Sequence, residues 1–177
     1  VYTTMDDHDN ALQCYSEALE ESHKLGDEKT GTALQNQLLN KIAVIHVTNK
    51  QYGTAADFLE KALDYQKNVQ TSIHGDLLGM MHQLGTTYTL SGDIDKAIEC
   101  YRECLETCQD LYGGVTSEIT STLCNLAILY HVKACIQEDG EDAEEEYLSE
   151  AHHCYQEALK LSPKSEVNVQ YANFLYQ

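Results

Sequence analysis

AIECYRECL, residues 97–105, has three related copies elsewhere in the chain: NALQCYSEAL (10–19), GTAADFLEKAL (53–63) and EAHHCYQEAL (150–159). In three of the four, an Ala lies four residues before a Tyr and a small residue lies three after it. These triplets are Ala11, Tyr15 and Ala18; Ala97, Tyr101 and Cys104; Ala151, Tyr155 and Ala158. The remaining copy supplies Ala55, Leu59 and Ala62. Offsets of three and four place such residues on one face of a helix. Small side chains there let a second helix approach closely, while the large one fills its neighbour's groove.

A second pattern precedes three of the copies. IAVIH (Ile42, Ala43, His46), LGTTY (Leu84, Gly85, Tyr88) and LAILY (Leu126, Ala127, Tyr130) each combine a large, a small and a ring-bearing residue. YANFL (Tyr171, Ala172, Leu175) begins another such element, after LSPKS around Pro163. With one proline and no alternating β-branched runs, the chain is expected to be all-α, built from antiparallel helix pairs.

Together these residues resemble the tetratricopeptide repeat, with its Leu-Gly, Tyr, Ala, aromatic, Ala and Pro positions. The resemblance covers nearly the whole chain and implies an α-solenoid, a right-handed superhelix of stacked hairpins. The repeat Ala positions are 44, 42 and 54 residues apart, counted from Ala11 through Ala55 and Ala97 to Ala151. A minimal unit has about 34 residues, so these hairpins are longer. The spacing is similar to that of kinesin light chain and nephrocystin arrays, as is LYGGVTSEITSTLCNLAILY (111–130).

The expected organisation is a single array over 1–177, with units at 1–29 (partial), 30–71, 72–115, 116–165 and 166–177. Helices are expected near 9–25, 31–49, 52–70, 73–91, 94–112, 117–136, 143–161 and 166–177. Breaks fall at Gly26-Asp27, Asn49-Lys50, Ser91-Gly92-Asp93, Gly113-Gly114 and Ser162-Pro163. Residues 1–5 read as the end of a helix, and the missing initial Met suggests a fragment of a longer chain. Residues 137–147 form an acidic insertion, expected as an exposed loop leading into a helix start.

Cys100, Cys104 and Cys108 share a helix face, which invites a metal reading. Cys14 and Cys154, however, occupy the same repeat position as Cys100, and Cys104 replaces a repeat Ala. Packing explains them without a metal, and zinc would want a fourth ligand. Eight His form no His-Glu-x-x-His, and GDEKTGT (26–32) lacks a Lys after its second Gly and a preceding strand. No nucleophile motif stands out. The expectation is a non-enzyme with neither cofactor nor metal.

The resemblance implies a protein–protein interaction scaffold that holds a peptide or a partner helix in the groove lined by the first helix of each unit. Counting from each Leu-Gly position gives Asn40, Val44 and Val47; His82, Thr86 and Thr89; and Cys124, Ile128 and His131. Lys41, Gln83 and Asn125 stand beside them, and their amides suit a peptide backbone. Kinesin light chains favour acidic cargo through basic groove residues, whereas here only Lys41 is basic. The Lys and Asn cluster with which chaperone-binding members clamp a terminal carboxylate is also absent. A second expectation is structural self-association through solenoid ends.

Twenty-nine acidic and 11 basic residues give a net charge of −18. That disfavours nucleic acid and anionic membrane surfaces and is compatible with a basic partner. No run reaches the roughly 18 consecutive apolar residues of a membrane span. Seven cysteines without a familiar framework or a secretory signal point to a reducing, cytoplasmic setting. Self-repulsion at this charge should destabilise the fold at low salt. Raising NaCl from about 20 to about 300 mM is therefore expected to raise the melting temperature, followed by circular dichroism. An unchanged midpoint would mean that the charges are already dispersed or paired.

Overall fold

The computed structural model describes residues 5–22, 28–68, 74–113, 117–136, 141–162 and 165–176. Among them lie eight α-helices and no strand: α1 (Met5–Ser22), α2 (Glu28–Thr48), α3 (Tyr52–Asn68), α4 (His74–Ser91), α5 (Ile94–Tyr112), α6 (Ser117–Ile136), α7 (Glu141–Leu161) and α8 (Ser165–Tyr176). The chain divides into two compact units, Val1–Ser91 and Gly92–Gln177. In the first, α2 packs on α1 and on α3, and α3 on α4. In the second, α6 packs on α5 and on α7, and α8 rests on α7 and α6.

Three residues join α2 to α3, so the two helices must run antiparallel. The chain reverses through a Schellman turn. The Gln51 amide donates to the His46 carbonyl at 2.8 Å, and the Lys50 amide to the Val47 carbonyl at 2.9 Å. Lys50 takes the left-handed conformation that this turn requires (φ 59°). Gly92 (φ 82°) and Gly113 (φ 69°) take it after α4 and α5, where a glycine meets the demand without steric cost.

The repeat positions form the core. Ala43 and Ala127 on the even helices are fully buried, as are Ala55, Ala97 and Ala151 on the odd ones. Ala62, Cys104 and Ala158 continue the column, and the large residues between them, Leu59, Tyr101 and Tyr155, are almost wholly enclosed. Tyr101 accepts a hydrogen bond from the Asn125 amide at 3.1 Å. In the second unit Tyr130 stacks on Tyr147 of α7, with ring centroids 6.4 Å apart. Lys133 lies over the Tyr147 ring, 4.8 Å from its centroid, and pairs with Asp95, so one α6 side chain links α5 and α7.

Four details differ from the sequence expectations. α1 opens at Met5, so Met5 belongs to this helix and not to the end of an earlier one; residues 1–4 lie outside the described residues. α7 opens at Glu141, so 141–147 of the acidic insertion are helical, carboxylates being favourable in a first turn; 137–140 lie outside the described residues. Cys14 is exposed, unlike its counterparts Cys100 and Cys154, because α1 packs mainly on α2 and leaves this face open. Finally, α6 holds one window long and apolar enough to cross a membrane, Ile119–Ile136, with a mean hydropathy of 1.3. Half of it is buried in the protein, as expected of a helix packed on both sides.

The breaks at Gly26-Asp27 and Pro163 also lie outside the described residues.

The tight columns make a contrast in mutability. Ala127→Leu forces extra methylenes into a closed helix crossing and should cost about 1–3 kcal/mol. Ala172, the matching position on α8, is exposed, and Ala172→Leu should change stability by no more than about 0.5 kcal/mol. Urea titrations of both variants check this.

Candidate functional site

The face of each even helix that its odd partner does not cover is where a ligand can lie. In the first unit α2 and α4 frame an open groove of about 360 Å³. Five of the residues singled out from the sequence line it: Val44 and Val47 from α2, and His82, Gln83 and Thr86 from α4. Thr48, Gly79, Thr87 and Leu90 complete the lining and were not anticipated. Thr48 and Leu90 stand one turn beyond Val44 and Thr86, and Gly79 one turn before His82. Carrying the same offsets one turn further along each helix would have found them. Thr87 is buried, and its hydroxyl donates to the Gln83 carbonyl at 2.8 Å, as Thr86 does to His82 at 2.9 Å.

The other expected groove residues are placed differently. The Asn40 amide donates to Asn36 Oδ1 at 3.0 Å, and Asn36 in turn donates to Gln66 of α3, so this amide chain ties α2 to α3. Asn40 Oδ1 is buried without a hydrogen-bond partner. Lys41 is exposed and outside the groove lining, and Thr89 is exposed with its hydroxyl donating to the Gly85 carbonyl. In the second unit Ile128 is exposed, but the Asn125 amide is engaged with Tyr101. His131 meets Phe174 of α8 edge-on, centroids 5.1 Å apart. Cys124 is a correction: it is buried, because its position in the fourth unit turns into the core.

The sequence reading also missed how charge is divided between the helices. Each even helix holds a single carboxylate, within its first three residues: Glu28, Asp76, Glu118 and Glu166. That is where the helix dipole favours a negative charge. The odd helices α1, α3, α5 and α7 carry six, three, five and seven. Among the described residues, the nine that line the groove include no Asp, Glu, Lys or Arg.

Five of the cysteines act as packing: Cys100, Cys104, Cys108, Cys124 and Cys154 are buried. Among the described residues no group of three or more His, Cys, Asp or Glu could hold a metal ion.

Comparisons with known proteins agree with the helical-repeat fold. Two family models described as tetratricopeptide repeat match the chain, over residues 37–69 and 76–135. The solved structure of BtubC (BKLC) from P. vanneervenii is similar over 97% of this chain and 65% of its own length, at 19% identity and a TM-score of 0.59. A Podosopora anserina putative kinesin light chain with nearly identical TPR-like repeats is similar over 96% of this chain and 88% of its own, at 15% identity and a TM-score of 0.50. A second crystal structure of that protein, carrying a substitution, gives 97%, 90%, 16% and 0.50. No curated protein matches. The chain belongs to the tetratricopeptide repeat family, and its fold class is the all-α helical-repeat solenoid. Proteins of this family generally mediate protein–protein interaction and are generally non-catalytic.

The packed rings and thiols of the second unit give a pH signature. Burial, then the nearby Glu150 carboxylate, pushes the Cys154 thiol from its ordinary 9.0 up to about 11. Burial likewise moves Tyr155 from 10.0 up to about 12. Both groups hold their protons more tightly when folded than when unfolded. Their contribution to stability is complete below about pH 9 and is lost as pH rises through the folded values. The urea midpoint should therefore fall between about pH 9 and pH 11, and Cys154→Ala should flatten the early part of that fall.

Proposed function

We propose that this protein is a non-catalytic interaction scaffold that holds a peptide segment or a partner helix against its even helices. The observation that carries the reading is the α2–α4 groove, in which five independently expected residues line one open space of about 360 Å³. Ligand sites commonly have about 300–1,000 Å³ of such volume. The net charge of −18 disfavours acidic partners and nucleic acid and draws basic ones at long range. A cytoplasmic setting agrees with seven cysteines that follow no familiar disulfide framework.

A second reading, self-association, is favoured by one observation: α8 leaves Val169 and Leu175 exposed beside the exposed Ala172. Light scattering over a concentration series separates the two. A constant monomer mass supports the groove reading, and mass rising with concentration supports the second.

The groove itself is tested with a displayed random-peptide library. Thr86→Arg fills it from an exposed position and is expected to abolish capture of the enriched peptides while leaving the melting temperature unchanged. Enriched peptides that bind Thr86→Arg as well as the parent chain would place the site elsewhere.

A further inference from the structure

Resting on the groove reading, we infer that the occupant of the α2–α4 groove is a segment with apolar side chains and no charge where it touches the groove. The chain is strongly acidic, yet most of its carboxylates stand on the odd helices, and none of the described residues that line the groove is an Asp, Glu, Lys or Arg. A charged side chain entering the groove would lose water without meeting an opposite charge, and burying an unpaired charge is costly. An acidic segment would in addition oppose the field of the whole molecule. A basic segment would be drawn towards the protein, but no carboxylate is among the described residues that line the groove to hold its Lys or Arg.

What the groove does offer is apolar area with a few polar positions. Val44 and Leu90 are 48% and 50% exposed, one on each bordering helix. Two such aliphatic side chains facing open space lose their contact with water when an apolar residue lies between them. Gln83 and His82 stand alongside, able to meet backbone groups. The second unit repeats the character independently: Ile128, Val132 and Ile136, 40%, 38% and 60% exposed, stand four residues apart along α6. A stripe of exposed aliphatics at helical spacing, on a helix whose one carboxylate is at its start, has the same chemistry as the α2–α4 groove. Attraction and grip are thereby separated: the odd helices set the long-range field, and the even helices make an uncharged contact.

The test uses synthetic peptides that share one apolar frame and differ only in the residues interleaved with it: Ser and Gln, Lys, or Glu. Dissociation constants are measured by calorimetry at about 20 and about 300 mM NaCl, for the parent chain, for Val44→Ser combined with Leu90→Ser, and for Thr86→Arg. The inference expects the uncharged set to bind with a constant that changes less than about threefold with salt. It also expects at least about tenfold loss in the double-Ser variant. If the Lys or Glu set binds best at both salt concentrations and is lost in Thr86→Arg, the groove is the site but its occupant is charged, and the inference is overturned while the groove reading stands. If the peptides that bind are unaffected by Thr86→Arg, or if no set binds, the groove reading fails and takes the inference with it.

Discussion

The crossing of two helices at an alanine is the constraint on which the rest depends. Ala43 and Ala127, with Ala55, Ala97 and Ala151, have no exposed surface, so the backbones lie as close as side chains permit. Close backbones leave a space beside each crossing that only a large residue fills, which is why Leu59, Tyr101 and Tyr155 recur there. Once these odd-helix faces are committed to packing, each even helix has one flank left over. The groove between α2 and α4 is thus a remainder of the core geometry.

That remainder explains the division of charge as well. An odd helix is amphipathic, one face in the core and one in water, and its water face can carry as many carboxylates as solubility calls for. An even helix is covered over more of its circumference, as the apolar window of α6 shows, and its open flank is narrow. Carboxylates are confined there to the first turn. The protein is therefore acidic as a whole, while the described residues that line its groove carry no carboxylate, Lys or Arg.

Much of this was legible in the sequence, because repeats convert weak local signals into strong ones. The Ala-x-x-x-Tyr offset recurring at Tyr15, Tyr101 and Tyr155 placed helices, small columns and large columns together. Helix ends were legible where a glycine marks them, as at Gly92 and Gly113. The end at Asn49-Lys50 was placed as well, and the structure closes it with backbone hydrogen bonds from the amides of Lys50 and Gln51. The groove was read in part: Val44, Val47 and Thr86 follow from the offsets that the repeat resemblance implies. Cys124 and Asn125 were not separable from it, since one is turned into the core and the other is held by Tyr101, and both depend on how far the helix is rotated. A rotation of a few tens of degrees moves a residue from groove to core, and sequence offsets do not resolve so small an angle.

The three-residue Schellman turn between α2 and α3 has a kinetic meaning. It places the contacts of that hairpin between residues close in sequence, so little chain must be ordered before the first apolar contacts form. Proteins dominated by such local contacts fold in microseconds to milliseconds, and repeat arrays can nucleate at any well-formed hairpin and grow from there. The α2–α3 pair, tied by the Asn36–Gln66 amides and the buried Ala55 and Leu59, has what such a nucleus needs. A chain built this way exposes its apolar faces only briefly on the way to the folded state.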